Sequence, residues 1–166
     1  TETMVILGVD LDNNGSDQGH MSPMVEQVQE RYGKTPAEYL IDGGFANHNE
    51  IEKVSGPGIG STVYAPVQVP KDKSRDRFQP LATDSESVAE WRKRMGTDAA
   101  KVIYKDRAAT AECVNAQARN RGLQQFRVRG REKAKAVLLW FALAHNLMRT
   151  AALRLASGME PAEATI

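Results

Sequence analysis

The stretch EYLIDGGFANHNEI, residues 38–51, places one carboxylate, Asp42, where a short apolar run stops and a helical pattern begins. In open α/β sheets ligands gather beyond the carboxyl ends of strands, which is where Asp42 falls. Gly43 and Gly44 remove side chains beside it, so a bulky ligand or another backbone can come close. The same local sequence also suits Asp42 as the cap of a helix starting near Asn47, with the glycines serving only the turn. A second constellation lies in YKDRAATAECVNAQAR, where Tyr104, Arg107, Glu112 and Arg119 follow the spacing Y-x2-R-x4-E-x6-R. On a helix Glu112 and Arg119 stand roughly 20° apart around the axis, with Asn115 beside them. That face carries an acid, an amide and a base, a pattern that solvated helix surfaces also show.

Positioning these groups requires a sheet with helices around it. MVILGVDL (4–11) is a β-branched apolar run closed by DNNGSD, which predicts a strand and a turn. Ser16 or Asp17 can cap the next helix, MSPMVEQVQERYG, which Gly33 ends. AEYLI is a second strand leading to Asp42, ANHNEIEKV a short helix, SGPGIGS a turn, and TVYAP a third strand cut off by Pro66. The alternation of strand and helix predicts an α/β layer. Residues 66–85 are rich in Pro, Lys, Arg and Asp without a period, as expected of a surface loop or insertion. Thereafter the pattern is helical: SESVAEWRKRM, TDAAKVIYKDRAATAECVNAQARN, and EKAKAVLLWFALAHNLMRTAALRLA, with RGLQQFRVRG between the last two. The domain is expected to span 1–156, followed by a flexible tail at 157–166.

The chain has 166 residues, 41% hydrophobic and 26% charged, the composition of a soluble globular domain. One cysteine, Cys113, permits no internal disulfide, suits a reducing compartment, and is expected as a small buried apolar residue. The run AVLLWFALAHNLM is too short for a membrane span and contains His145, so it reads as a core helix; no secretory signal is present. The net charge of +1 hides an asymmetry: residues 1–60 hold three basic and ten acidic residues, net −7, whereas 61–166 hold nineteen and eleven, net +8. The basic half is the natural partner surface for a polyanion. Its densest part is ARNRGLQQFRVRGREKAK, where Arg119, Arg121, Arg127, Arg129, Arg131, Lys133 and Lys135 face one acid, Glu132. No His/Cys cluster has zinc spacing; His48 reads as a loop donor and His145 as a packing residue. SGPGIGS lacks the Lys-Ser/Thr ending of a P-loop.

Several separated blocks, NNGSDQGHMSPMVEQVQERYG, LIDGGF, YKDRAATAECVNAQARNRGLQQFRVRG and ALAHNLMR, occur in an order that resembles the DDE transposases of bacterial insertion sequences, in the subgroup with a Tyr-Arg-Glu-Lys signature. The resemblance runs from about Val5 to Leu155. It implies a ribonuclease H-like fold in which three carboxylates hold two divalent metals, Mg²⁺ or Mn²⁺, for hydrolysis and strand transfer at DNA phosphodiesters. Such chemistry asks for positioning and charge stabilisation rather than covalent help, and hard cations favour carboxylate oxygens. By the resemblance Asp42 is the second aspartate and Glu112 the glutamate, both catalytic and metal-binding. Tyr104, Arg107, Arg119, Arg121, Arg127 and Arg129 are implied on the DNA, with Arg119 where the family usually has Lys.

The family's first aspartate lies on an opening strand that this sequence does not contain, and Asp10 and Asp12 match the end of the third strand instead. The chain therefore resembles the carboxy-terminal part of a transposase, with an incomplete sheet. It is expected in the bacterial cytoplasm with the nucleoid, partnered by transposon-end and target DNA, compatible with a homo-oligomer, and not membrane-bound. Two of three carboxylates imply weak metal binding and no cleavage by this chain alone. The alternative is a DNA-binding or dimerising remnant without catalysis.

Overall fold

The computed structural model describes residues 3–158; of the tail expected at 157–166, residues 159–166 lie outside the described residues. The chain divides into two compact units, one of residues 14–109 and the other of the residues through Asn13 together with those from Thr110 onward.

The 14–109 unit is α/β. Helix α1 (Met21–Tyr32) leads to strand β1 (Glu38–Leu40), helix α2 (His48–Ser55), strand β2 (Thr62–Tyr64), helix α3 (Glu86–Met95), and the first part of helix α4 (Asp98–Asn120). β1 and β2 pair in parallel with Tyr39 opposite Val63, so α2 is the crossover that parallel strands require. Met21 and Val25 of α1, Ile51 and Val54 of α2, Val63 of β2 and Val88 and Trp91 of α3 close one apolar core. Gly33 ends α1 in the left-handed region at φ 65°, its amide returning to the Gln29 carbonyl. The start of α1 differs from expectation. Its N-cap position is His20, whose side chain makes no capping bond to the helix, while Ser16 accepts the Gln18 amide in the turn before it. The orphan amide of Ser22 goes instead to Glu50 of α2, 2.8 Å away, and the Ser22 hydroxyl donates to the same oxygen. A carboxylate at a helix start suits both the free amides and the dipole.

Residues 66–85 form no regular element, as the sequence predicts. They are held from beneath by Arg92, a buried residue of α3 that ion-pairs with buried Asp84 at 2.7 Å and donates to the Arg77 carbonyl. The SGPGIGS turn is closed by backbone bonds, Gly60 amide to Gly56 carbonyl within it and Ser61 amide to the Val54 carbonyl of α2.

The other unit holds the remainder of α4, the 121–130 connection and helix α5 (Arg131–Ala156). Here three expectations are corrected. Residues 4–11 form no strand; no neighbouring strand offers a ladder, and side chains of α5 take the backbone groups instead. Asn146 accepts the Ile6 amide and donates to its carbonyl, both at 2.8 Å. His145 Nε2 donates to the Met4 carbonyl at 2.8 Å and Arg149 to that of Thr3 at 2.7 Å. Nor is α5 a core helix. Among its residues only Ala134, Ala142 and His145 are buried, while Trp140 is 70% and Leu155 78% exposed. Because the helix runs past the apolar stretch to 26 residues, it is long and apolar enough to cross a membrane by length and composition, a test that core helices of soluble proteins also pass. Cys113 is half-buried, not buried, and its sulfur accepts from the Gln117 side-chain Nε2.

Candidate functional site

β1 carries Asp42 to the edge of the 14–109 unit. The ladder continues one residue past the strand, Ile41 amide to Tyr64 carbonyl, and the chain then turns, with the Phe45 amide bonded to the Asp42 carbonyl. Asp42 Oδ1 accepts the Gly43 amide at 2.7 Å, and its side chain is 61% exposed. It does not cap α2. Asn47 does so, accepting the Glu50 amide at 2.9 Å, which removes the capping explanation for Asp42. The neighbouring glycines are crowded unequally. A Cβ on Gly43 would meet the Pro66 ring at an ordinary 3.7 Å, whereas one on Gly44 would stand 3.1 Å from the Asp17 carboxylate. Asp17 is thus an acid beside this loop that sequence spacing did not single out.

α4 brings two signature residues to the same strand end. Tyr104 donates its hydroxyl to the Ile41 carbonyl at 3.0 Å, and Arg107 Nη1 stands 3.6 Å from Asp42 Oδ2. They sit three residues apart, one turn of helix, with the Arg107 guanidinium 5.6 Å from the Tyr104 ring centre. Burial pushes the Tyr104 phenol above its ordinary pKa; Arg107 pulls it down and Asp42 adds to the rise. The phenol is therefore a donor at neutral pH. Arg107 Nε is buried without a partner, so the guanidinium is only partly satisfied by Asp42.

The other expected residues lie in the second unit. Glu112 is exposed on α4, with no ion pair or side-chain hydrogen bond among the described residues, and Arg119 is likewise exposed. Arg121 reaches the His145 ring, Nη1 to Nδ1, at 3.5 Å. A guanidinium only donates, so Nδ1 accepts and the ring proton sits on Nε2, facing the Met4 carbonyl. Arg127 and Arg129 are exposed in the connection before α5. Asp10, in the segment before that unit's boundary, ion-pairs with Lys135 at 2.8 Å, and the hydrogen bond from Lys135 and then that from the Leu11 amide hold its carboxyl below the usual range.

A family model described as the transposase DDE domain matches residues 69–151. The chain belongs to that family. Neither a curated protein nor a solved structure matches it. The match takes in Tyr104, Arg107, Glu112 and the basic run, and begins after Asp42. DDE transposases act on DNA and typically use divalent metal. Against that requirement, the described residues contain no group of three or more His, Cys, Asp or Glu side chains able to hold an ion. Asp42 has an arginine beside it rather than a second acid. By themselves the described residues of this transposase domain do not compose a metal centre.

Proposed function

We propose that this chain is part of a ribonuclease H-like DNA transposase of an insertion sequence, acting by phosphodiester hydrolysis and strand transfer, with Asp42 and Glu112 as two of its catalytic carboxylates. The observation that carries the reading is the convergence of Tyr104, Arg107 and Asp42 at the end of β1. Tyr104 and Arg107 held at a strand-end aspartate support that reading, since phosphoryl transfer draws mostly on positioning and charge stabilisation. Arg107, fixed against the Tyr104 ring with an unpartnered Nε, is suited to hold a DNA phosphate close to Asp42. Tyr104 fixes the strand-end backbone beneath that carboxylate. Mg²⁺ or Mn²⁺ is the proposed cofactor: Asp42 and Glu112 would be two of its ligands, short of a complete set among the described residues, and the ion would supply charge stabilisation at the phosphodiester.

Arg119, Arg121, Arg127 and Arg129 are proposed to track the DNA backbone. The protein is accordingly placed in the bacterial cytoplasm with the nucleoid. Duplex binding should weaken steeply with salt and depend little on sequence, and Arg127→Ala/Arg129→Ala should lower the salt slope by about one unit for each phosphate no longer neutralised. Absence of duplex binding at low salt would sink the reading. In the complete encoded polypeptide, Asp42→Ala or Glu112→Ala should abolish Mn²⁺-dependent nicking while DNA binding persists. Near-normal nicking by the Glu112 variant would remove it from the mechanism.

The exposed apolar face of α5 supports a second reading, a DNA-binding or dimerising protein without catalysis. In that case neither substitution changes the transposition-independent properties, and the complete polypeptide does not nick.

A further inference from the structure

Beside the Asp42 turn, within the 14–109 unit, lies a cavity of about 450 Å³. Its walls draw on α2, the 66–85 loop, α3 through Trp91 and Arg92, and Gln18 before α1. Asn47 and His48 bring the start of α2, and Gln68, Lys71, Arg75 and Arg77 come from the 66–85 loop. Pro66, which packs over Gly43, lines it as well, so the cavity begins where the Asp42 turn ends.

Three of its four cations stand outside any ion pair among the described residues. Lys71, Arg75 and Arg77 form no ion pair with any described residue, and Arg77 lies over the Phe78 ring, 4.8 Å from its centre. Of the acids beside them in sequence, Asp72 accepts from the Ser74 hydroxyl at 2.7 Å and the Ser74 amide at 3.0 Å, with Arg75 acting on it only through its charge, and Asp76 accepts from the Phe78 amide at 2.9 Å. The fourth cation, Arg92, is neutralised by Asp84 and serves as framework: one guanidinium nitrogen donates to the Arg77 carbonyl and another to His48 Nε2 at 3.2 Å. Since Arg92 can only donate, His48 Nε2 accepts and the ring proton sits on Nδ1. One buried side chain thus ties the basic loop to the start of α2, where the positive end of the helix adds to the field.

From this arrangement we infer that the cavity is a phosphate site, in which Lys71, Arg75 and Arg77 take a backbone phosphate of a nucleic-acid strand lying against the Asp42 turn. The inference rests on the DNA reading above and adds to it a contact outside the signature helix and the basic run. Backbone is favoured over a free nucleotide because the cavity offers a base no open platform to stack on. The one Phe, Tyr or Trp in its walls, Trp91, is buried, with its indole nitrogen bonded to the Ala65 carbonyl. Recognition here is by charge, so it is independent of sequence.

The test measures binding of a fluorescent duplex by the full chain across a salt series, for wild type, Arg75→Ala/Arg77→Ala and Arg127→Ala/Arg129→Ala. The loop variant should lose about two units of salt slope, equally on two unrelated sequences. Lys71→Gln, a milder exposed change, should lose about one. As an independent readout, duplex should protect the Lys71 amine from acylation, scored by mass spectrometry. Loop variants with wild-type slope and an unprotected Lys71, while the Arg127/Arg129 variant weakens, overturn the phosphate site and leave the DNA reading standing. No duplex binding by wild type overturns both. Inorganic phosphate or ATP that protects Lys71 as well as the duplex does would overturn the backbone assignment in favour of a free-phosphate ligand.

Discussion

Arg92 shows how much one buried cation can hold. It sits in WRKRM, flanked by basic residues that give no hint of burial, yet it pairs with Asp84 where neither side chain is more than 9% exposed. Removing one member of such a pair strands the other. Arg92→Met should therefore destabilise the fold by about 3–5 kcal/mol, seen as a lower urea midpoint. Adding Asp84→Leu should recover only part of that, because the Leu81 amide and the Arg77 carbonyl also lose their partners. At Asp42 the sequence left two roles open, and the choice between them was not legible. Asp and Asn both cap helices, and only the backbone path shows that Asn47 sits at the cap while Asp42 stands free of it. That Tyr104 and Arg107 share one side of α4 agrees with helix periodicity, which brings residues three apart together, but their meeting with the end of β1 was not legible. Tyr104→Phe should cost about 1 kcal/mol through the lost bond to Ile41, measurable as a shift in the same unfolding curve.

At the scale of elements, α1 and α2 are joined through Glu50. Burial alone would raise the pKa of this carboxyl, but the Ser22 amide and hydroxyl and the Lys53 ammonium outweigh it and hold it below the ordinary glutamate value of 4.5. A folded pKa below the unfolded one means that the contribution is complete above about pH 4.5 and is lost as pH falls through the folded value. Unfolding followed by far-ultraviolet circular dichroism should show a wild-type acid slope in that window that is reduced in Glu50→Gln; equal slopes would assign acid sensitivity elsewhere. The helices α3, α4 and α5 and both paired strands were readable from periodicity and from the glycines and prolines around them. The 4–11 run was not, for a physical reason: alternation and β-branching describe a chain ready to extend, whereas a strand exists only where a neighbour supplies its ladder. The cap of α1 was likewise hidden, since its acceptor is 28 residues away along the chain.

For the whole molecule, the two units differ in how they are held. Residues 14–109 surround a closed apolar core, whereas the described part of the other unit is tied through side-chain bonds and leaves much of α5 bare. The two tryptophans report on each: Trp91 is 3% exposed and Trp140 70%. In a Trp91→Phe variant, emission from Trp140 should be red-shifted and readily quenched by acrylamide in dilute protein. Blue-shifted, protected emission at every concentration would mean that this face of α5 is covered. Native-state hydrogen exchange should be slowest in α2, β2 and α3 and fast at 124–130, where the amides make no backbone bond among the described residues, unlike those of residues 121–123, which reach back to α4 carbonyls.

The clasp of α5 on residues 3–6 sets an unusual pattern of mutational tolerance. The bonds by which His145, Asn146 and Arg149 hold this segment go to main-chain atoms, the carbonyls of Thr3, Met4 and Ile6 and the Ile6 amide. Main-chain atoms are common to nearly every amino acid, so substitutions at Thr3 and Ile6 leave the grip chemically intact, Pro at Ile6 excepted because it has no N–H to give. The constraint falls on the other partner, where Asn146 alone supplies both an acceptor and a donor in one plane and only Gln offers the same pair. Substitution scanning of this unit should thus find drift permitted along the held segment and forbidden at the holding side chains, so that close relatives of this protein would vary most where the chain is gripped and least where it does the gripping.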